Sequence, residues 1–141
     1  MRVVLDTNVL VSGTLKSTGV PGRVLSLIYD ARIRPVVDAR ILAEYRAVLA
    51  RPRLKIPAAV GTELLRRFAE VAEHVTVTAA AVSRLDRVAL KDPNDRPFME
   101  VAASVAAFAI VTGNTRHLPR AALAPVRVLT PRHLLDEFGS E

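Results

Sequence analysis

What most constrains this chain is a series of short, continuously apolar runs, each ending abruptly on polar or turn-forming residues. Arg2–Leu5 stops at Asp6-Thr7-Asn8, Arg34–Val37 stops at Asp38, Phe108–Thr112 gives way to Gly113-Asn114, and Val126–Leu129 precedes Pro131. A strand with one wet face alternates apolar and polar side chains, whereas a strand covered on both faces need not. Such strands, separated by helical patterns, predict an α/β fold: a three-layer α/β/α sandwich around a central parallel sheet. The 141 residues, half of them apolar, suit a single domain over 1–141. A chain of that size buries about 70% of its unfolded surface and needs no disulfide or zinc to fold.

Between the strands, apolar residues recur at helical spacing. Helices are expected near Asn8–Leu15 and from Pro21 onward, with Val24, Leu25, Leu27 and Ile28 on one face. A third runs over Ala39–Ala50, with Ile41, Leu42, Tyr45, Val48 and Leu49 on one side, and is stopped by Arg51-Pro52. Pro57–Glu73, Phe98–Ala107 and Pro131–Phe138 complete the helical set. His74–Thr78 alternates as a strand should, and an Ala/Val/Arg segment leads from it to Lys91-Asp92-Pro93-Asn94-Asp95.

Several function classes drop out early. The absence of cysteine excludes a disulfide framework, a thiolate metal site and a cysteine nucleophile. The longest apolar stretch, Val101–Val111, is interrupted by Ser104 and falls short of the roughly 20 residues that cross a bilayer. The start reaches Asp6 too soon for a signal-peptide core, so a cytoplasmic protein without membrane contact is expected. No GxGxxG or GxxxxGK[ST] cradles a phosphate, nothing supports a Ser-His-Asp arrangement, and His74, His117 and His133 lack metal-ligand spacing. The net charge is +6, and 17 of the 20 basic residues are Arg. Guanidinium binds phosphate bidentately, which points toward nucleic acid.

In open α/β sheets, ligands bind beyond the carboxyl ends of the strands. Asp6, Asp38 and Asn114 fall there. Asp6 either caps the helix that follows or joins Thr7 and Asn8 in holding a metal. Glu44 sits at the border of the Ile41/Tyr45/Val48 stripe, where it can face the sheet edge. Asp95, ahead of Pro97, reads as a helix N-cap whose spare oxygens leave room for a ligand. Asp92 precedes a proline and reads as a turn residue. Glu100 and Ser104 are the only polar side chains from Phe98 to Val111, so Glu100 requires an Arg or a metal as partner. Oxygen donors without His or Cys suit Mg²⁺ or Mn²⁺.

Four segments, VVLDTNVLVSG, EYRAVLARPR, DPNDRPFMEVA and IVTGNTRHL, occur in an order and at distances that resemble the PIN-domain family, in particular the bacterial VapC-type toxin ribonucleases. The resemblance spans nearly the whole chain. It implies a Mg²⁺- or Mn²⁺-dependent endoribonuclease, with Asp6, Glu44 and Asp95 as acidic metal ligands. The family's fourth acidic position falls on Asn114, a departure for which Asp92 or Glu100 could compensate. Thr112 and Asn8 match positions that support the acidic cluster. The resemblance further implies RNA hydrolysis leaving 5′-phosphate and 3′-hydroxyl ends, a cognate antitoxin as partner, and a homodimer. Arg51, Arg53, Lys55, Arg96 and Arg116 are the expected grips on the RNA backbone. The helix faces carrying Val24, Leu27, Ile28 and Leu64, Leu65, Phe68 serve the core, a dimer face or an antitoxin groove. Two other readings stand beside this one: a weakened PIN domain that binds RNA or a partner without cutting, and a phosphatase in the haloacid dehalogenase manner using Lys91, Asp92 and Asp95.

Overall fold

Three of the four residues of β1 (Arg2–Leu5) are buried in succession, and β2 (Arg34–Val37) repeats the pattern. The computed structural model describes residues 1–139. In it these strands join β3 (Glu73–His74), β4 (Ala109–Val111) and β5 (Arg127–Leu129) in one parallel sheet of order β3-β2-β1-β4-β5. The register sets Val3 beside Ala109, Val4 beside Ile110 and Leu5 beside Val111, so β1 is paired on both sides. Because neither face of these strands meets water, apolar side chains occupy both, as the unalternating runs imply.

Helices α1 (Thr7–Leu15) and α2 (Val20–Tyr29) connect β1 to β2, and α3 (Ala39–Leu49) and α4 (Ala58–Val71) connect β2 to β3. Helices α5 (Ala79–Asp86) and α6 (Arg96–Ser104) lead back to β4, the short α7 (Arg120–Leu123) leads to β5, and α8 (Pro131–Gly139) follows. Right-handed crossovers put α1–α4 on one face of the sheet and α5–α7 on the other. The packing agrees: α1 touches α2 and α3, α2 touches α4, α5 packs on α6, and α8 closes against α2 and β5. The expected three-layer α/β/α sandwich is the observed one. No helix among the described residues is long and apolar enough to cross a membrane.

Where elements differ from expectation, local chemistry explains it. The helix expected over Phe98–Ala107 is α6, shifted to Arg96–Ser104. It closes through a bond from the Ala107 N–H to the Ala102 carbonyl, with Ala106 left-handed at φ 48°. That closure usually carries a glycine, and without one the sequence does not mark the stop. The strand expected at His74–Thr78 is only Glu73–His74, which also shortens the preceding helix. Thr78 leaves the sheet because its side chain accepts a bond from the Ala81 N–H and caps α5, a helix that apolar periodicity does not announce. The faces carrying Val24, Ile28, Leu65 and Phe68 are buried in the core, with Leu27 and Leu64 packed at its edge.

The helix pair after β1 depends on a close approach at Gly22. A Cβ built there would lie 2.1 Å from the Ser17 carbonyl oxygen, a backbone atom that cannot step aside. Gly22→Ala is therefore expected to destabilise the chain by about 2 kcal/mol, lowering Tm by at least about 5 °C in a thermal melt. An unchanged melt would contradict this packing.

Candidate active site

Strand order reverses at β1. From it the chain steps outward to β2 and β3, then returns to β4 and β5 on the other side. This switch point opens a crevice beyond the ends of β1 and β4, where Asp6 and the segment Thr112-Gly113-Asn114 emerge. The Asp6 N–H still donates to the Val111 carbonyl at 2.9 Å, which fixes the two strand ends side by side. Asp6 occupies the N-cap position of α1, yet its carboxylate takes no capping bond there. It accepts instead from the Thr112 hydroxyl at 2.6 Å. The capping alternative thus gives way to one in which the carboxylate belongs to the crevice.

Glu44 arrives through α3. Asp38 is spent on that helix: its side chain accepts from the Ile41 N–H at 3.0 Å and pairs with Arg40 at 2.8 Å. One helical turn on, the fully buried Tyr45 donates its hydroxyl to the Leu5 carbonyl. Its ring meets Phe68 edge-on at 5.5 Å and Phe98 at 6.3 Å, so α3, α4 and α6 are held at the end of β1. With Tyr45 so anchored, the adjacent Glu44 lies half-buried and accepts a hydrogen bond from the Thr7 hydroxyl.

Asp95 ends a 3₁₀ turn, Pro93–Asp95, that Asp92 caps by accepting from the Asn94 N–H at 2.9 Å. Asp95 then stands at the N-cap position of α6 without a side-chain capping bond, so its oxygens are also not used by the helix. Asp6, Glu44, Asp92, Asp95 and Asn114 all line one pocket of about 410 Å³, with Thr7, Asn8 and Thr112.

Other candidates are separated by geometry. Glu100 is 4% exposed and faces away, pairing with Arg40 at 2.7 Å and with Arg96 at 2.9 Å. Its partners are two arginines, and of the two acids that could compensate for Asn114 only Asp92 reaches the pocket. Arg96, bound to Glu100 and Asp86, is occupied. Among the expected phosphate grips, Arg51 and Arg53 line the pocket, while Lys55, Arg96 and Arg116 do not. Lys91, which the phosphatase reading requires, is also outside it. Sequence reasoning gave His117 no part in the site: exposed as it is, it lines the pocket and contacts the Asn114 amide through Nδ1 at 3.0 Å. Its spacing from Asn114 was the one available signal.

Gathering acids at one place perturbs them. Burial, reinforced by the negative charge of Asp6, Asp92 and Glu44, pushes the Asp95 carboxyl up to about 6. Burial also raises Asp6, with the Thr112 hydrogen bond and the Thr7 amide opposing it and Glu44 and Asp92 adding to it. Charge that repels itself in this way attracts a cation. The donors are all hard oxygens, which fits Mg²⁺ or Mn²⁺ in kind. As posed, however, no three Asp, Glu, His or Cys groups among the described residues stand close enough to hold one ion. The pocket collects the donors without presenting a finished chelate.

Comparison with known proteins agrees with this geometry. Residues 2–116 match the family model of the PIN domain. An uncharacterized protein of Methanocaldococcus jannaschii is 25% identical, over 98% of this chain and 92% of its own length. Among solved structures, the crystal structure of VapBC2 from Rickettsia felis bound to a DNA fragment from its promoter is similar in fold. That match has a TM-score of 0.64 and 15% identity, and covers 92% of this chain and 98% of that one.

The raised Asp95 makes stability depend on pH. Its folded value, about 6, exceeds the ordinary 3.8, so the folded chain holds the extra proton in that window and loses stability as pH rises through it. Asp95→Asn is expected to stabilise the metal-free protein at pH 7.5 by about 1 kcal/mol, after allowance for screening of a partly exposed group, or about 3 °C in Tm. The gap should close toward pH 4 in a calorimetric series, and a pH-independent gap would refute the assigned cause.

Proposed function

This chain belongs to the PIN-domain family, and from that premise we propose that it is a divalent-metal-dependent endoribonuclease, the toxin of a toxin–antitoxin pair. The observation that carries the reading is the meeting of Asp6, Glu44 and Asp95, from three separate elements, with Asn114 in one pocket at the switch point of the sheet. The likeness in fold to VapBC2 supports a cognate antitoxin as partner.

In this reading Asp6, Glu44, Asp95 and Asn114 hold Mg²⁺ or Mn²⁺, with Asp92 contributing negative charge at the rim. The bound ion would activate water and neutralise charge developing on the phosphate under attack. The chain supplies orientation: Thr112 fixes the Asp6 carboxylate and Thr7 fixes that of Glu44. An acidic pocket repels RNA, so cations must hold the strand beside it. Arg51 and Arg53 suit that role because they border the pocket and form no ion pair among the described residues, unlike Arg96. Pro52, between them, opens the 3₁₀ turn Pro52–Leu54 and stiffens the segment that carries both guanidinium groups.

Asn114 favours a second reading, a domain that binds RNA or a partner without cutting, because an amide brings no charge to the metal. One assay separates the two. With a mixed RNA pool, the wild type is expected to cut in Mg²⁺ or Mn²⁺ and not in EDTA, and Asp6→Asn to lower the rate by about 10²-fold or more. RNA retained but uncut in every metal would leave only the binding module. The Arg51→Ala/Arg53→Ala double variant is expected to raise KM with little change in kcat. Its salt dependence of binding should also flatten, by about 0.7 in slope for each phosphate no longer neutralised.

A further inference from the structure

Asn114 poses a problem that a carboxylate would not. Both oxygens of a carboxylate accept, so either rotamer presents an acceptor, whereas a half-turn of an amide exchanges an acceptor oxygen for an NH₂ that donates only. An asparagine in a pocket of carboxylates is useful to a cation in one orientation and harmful in the other. Something must choose between them.

The backbone of the turn is already fixed. The Asn114 N–H donates to the Thr112 hydroxyl at 3.1 Å, and the His117 N–H donates to the Asn114 carbonyl at 3.1 Å. The turn Thr115–His117 thereby carries the imidazole back to the residue that starts it. There Asn114 Nδ2 lies 3.0 Å from His117 Nδ1. An amide N–H donates only to a ring nitrogen that carries no proton, so with Nδ2 on this side Nδ1 is the acceptor and Oδ1 faces the other way. Asn114 Oδ1 has no protein hydrogen-bond partner among the described residues, and the residue lines the same pocket as Asp6, Glu44 and Asp95. We infer that His117 is a positioning residue: by accepting the Asn114 side-chain N–H, it turns the amide oxygen toward the pocket as the fourth oxygen donor for a divalent cation.

The inference rests on the metal-site reading above, and its test keeps the two apart. Mn²⁺ is titrated calorimetrically into the RNA-free wild type, His117→Ala, His117→Asn, Asn114→Asp and the Asn114→Asp/His117→Ala pair. His117→Ala is expected to weaken Mn²⁺ binding by about 10-fold, as removing the partner behind a ligand does. His117→Asn should recover most of that affinity, because an Asn side-chain oxygen reaches about as far from the backbone as Nδ1 does. In the Asn114→Asp background, where no wrong rotamer exists, removing His117 should change affinity less than about 2-fold. Long-range proton–nitrogen correlations on the metal-free wild type should show Nδ1 unprotonated and hydrogen-bonded. Equal weakening in both backgrounds, failed rescue by His117→Asn, or a proton on Nδ1 would each overturn the role of His117. A wild type that takes up no Mn²⁺ at all would overturn the metal site itself.

Discussion

The hydrogen bond from the Tyr45 hydroxyl to the Leu5 carbonyl fastens the first helix after β2 to the end of β1, and the site depends on it. Tyr45 is completely buried, and an unpaired phenol there would cost about 1–3 kcal/mol, so the ring cannot turn elsewhere without penalty. Its packing on Phe68 and Phe98 extends the restraint to α4 and α6. Glu44 and Asp95 belong to segments joined by this aromatic contact, and Asp6 follows Leu5 directly. An apolar cluster beneath the sheet edge thus fixes how close the charged groups above it stand.

That placement opposes what the acids would do alone. Asp6 and Asp95 are raised because burial and mutual repulsion disfavour their ionised forms. The fold tolerates the strain because the larger burial of the sheet and of the Tyr45 cluster offsets it. Glu100 makes the contrast clear. It is more deeply buried than any pocket acid and contributes nothing to the pocket, because Arg40 and Arg96 satisfy it fully. A buried acid with two guanidinium partners is structure, whereas acids left to repel one another mark a candidate site.

Much of the fold was legible because strand burial writes itself into composition. Uninterrupted apolar residues from Val3 to Leu5 and in β4 signal a strand covered on both faces, and the polar residue after each marks its carboxyl end. The errors fell where a local cap or turn without its usual signal residue set the boundary. Thr78 left the predicted strand to cap α5, and Ala106 took a left-handed turn without a glycine to announce it. At the site, residue type nominated Asp6, Glu44, Asp95 and Asn114, but type alone could not separate Asp92 from Glu100, since both are carboxylates near one helix start. Nor could it separate Arg53 from Arg96, or find His117. Those distinctions rest on which way each side chain leaves its element.

The order of amino acids therefore determined the layers of this protein, the parallel character of its sheet and the chemical kind of its candidate ligands, all of which depend on local periodicity and residue type. Only the tertiary structure decided which acids share a pocket, which guanidinium groups beside it form no ion pair among the described residues, and that the His117 imidazole meets the Asn114 amide. Periodicity fixes the face a residue occupies on its own element. The distance between two faces is set by packing among strands and helices far apart in the chain.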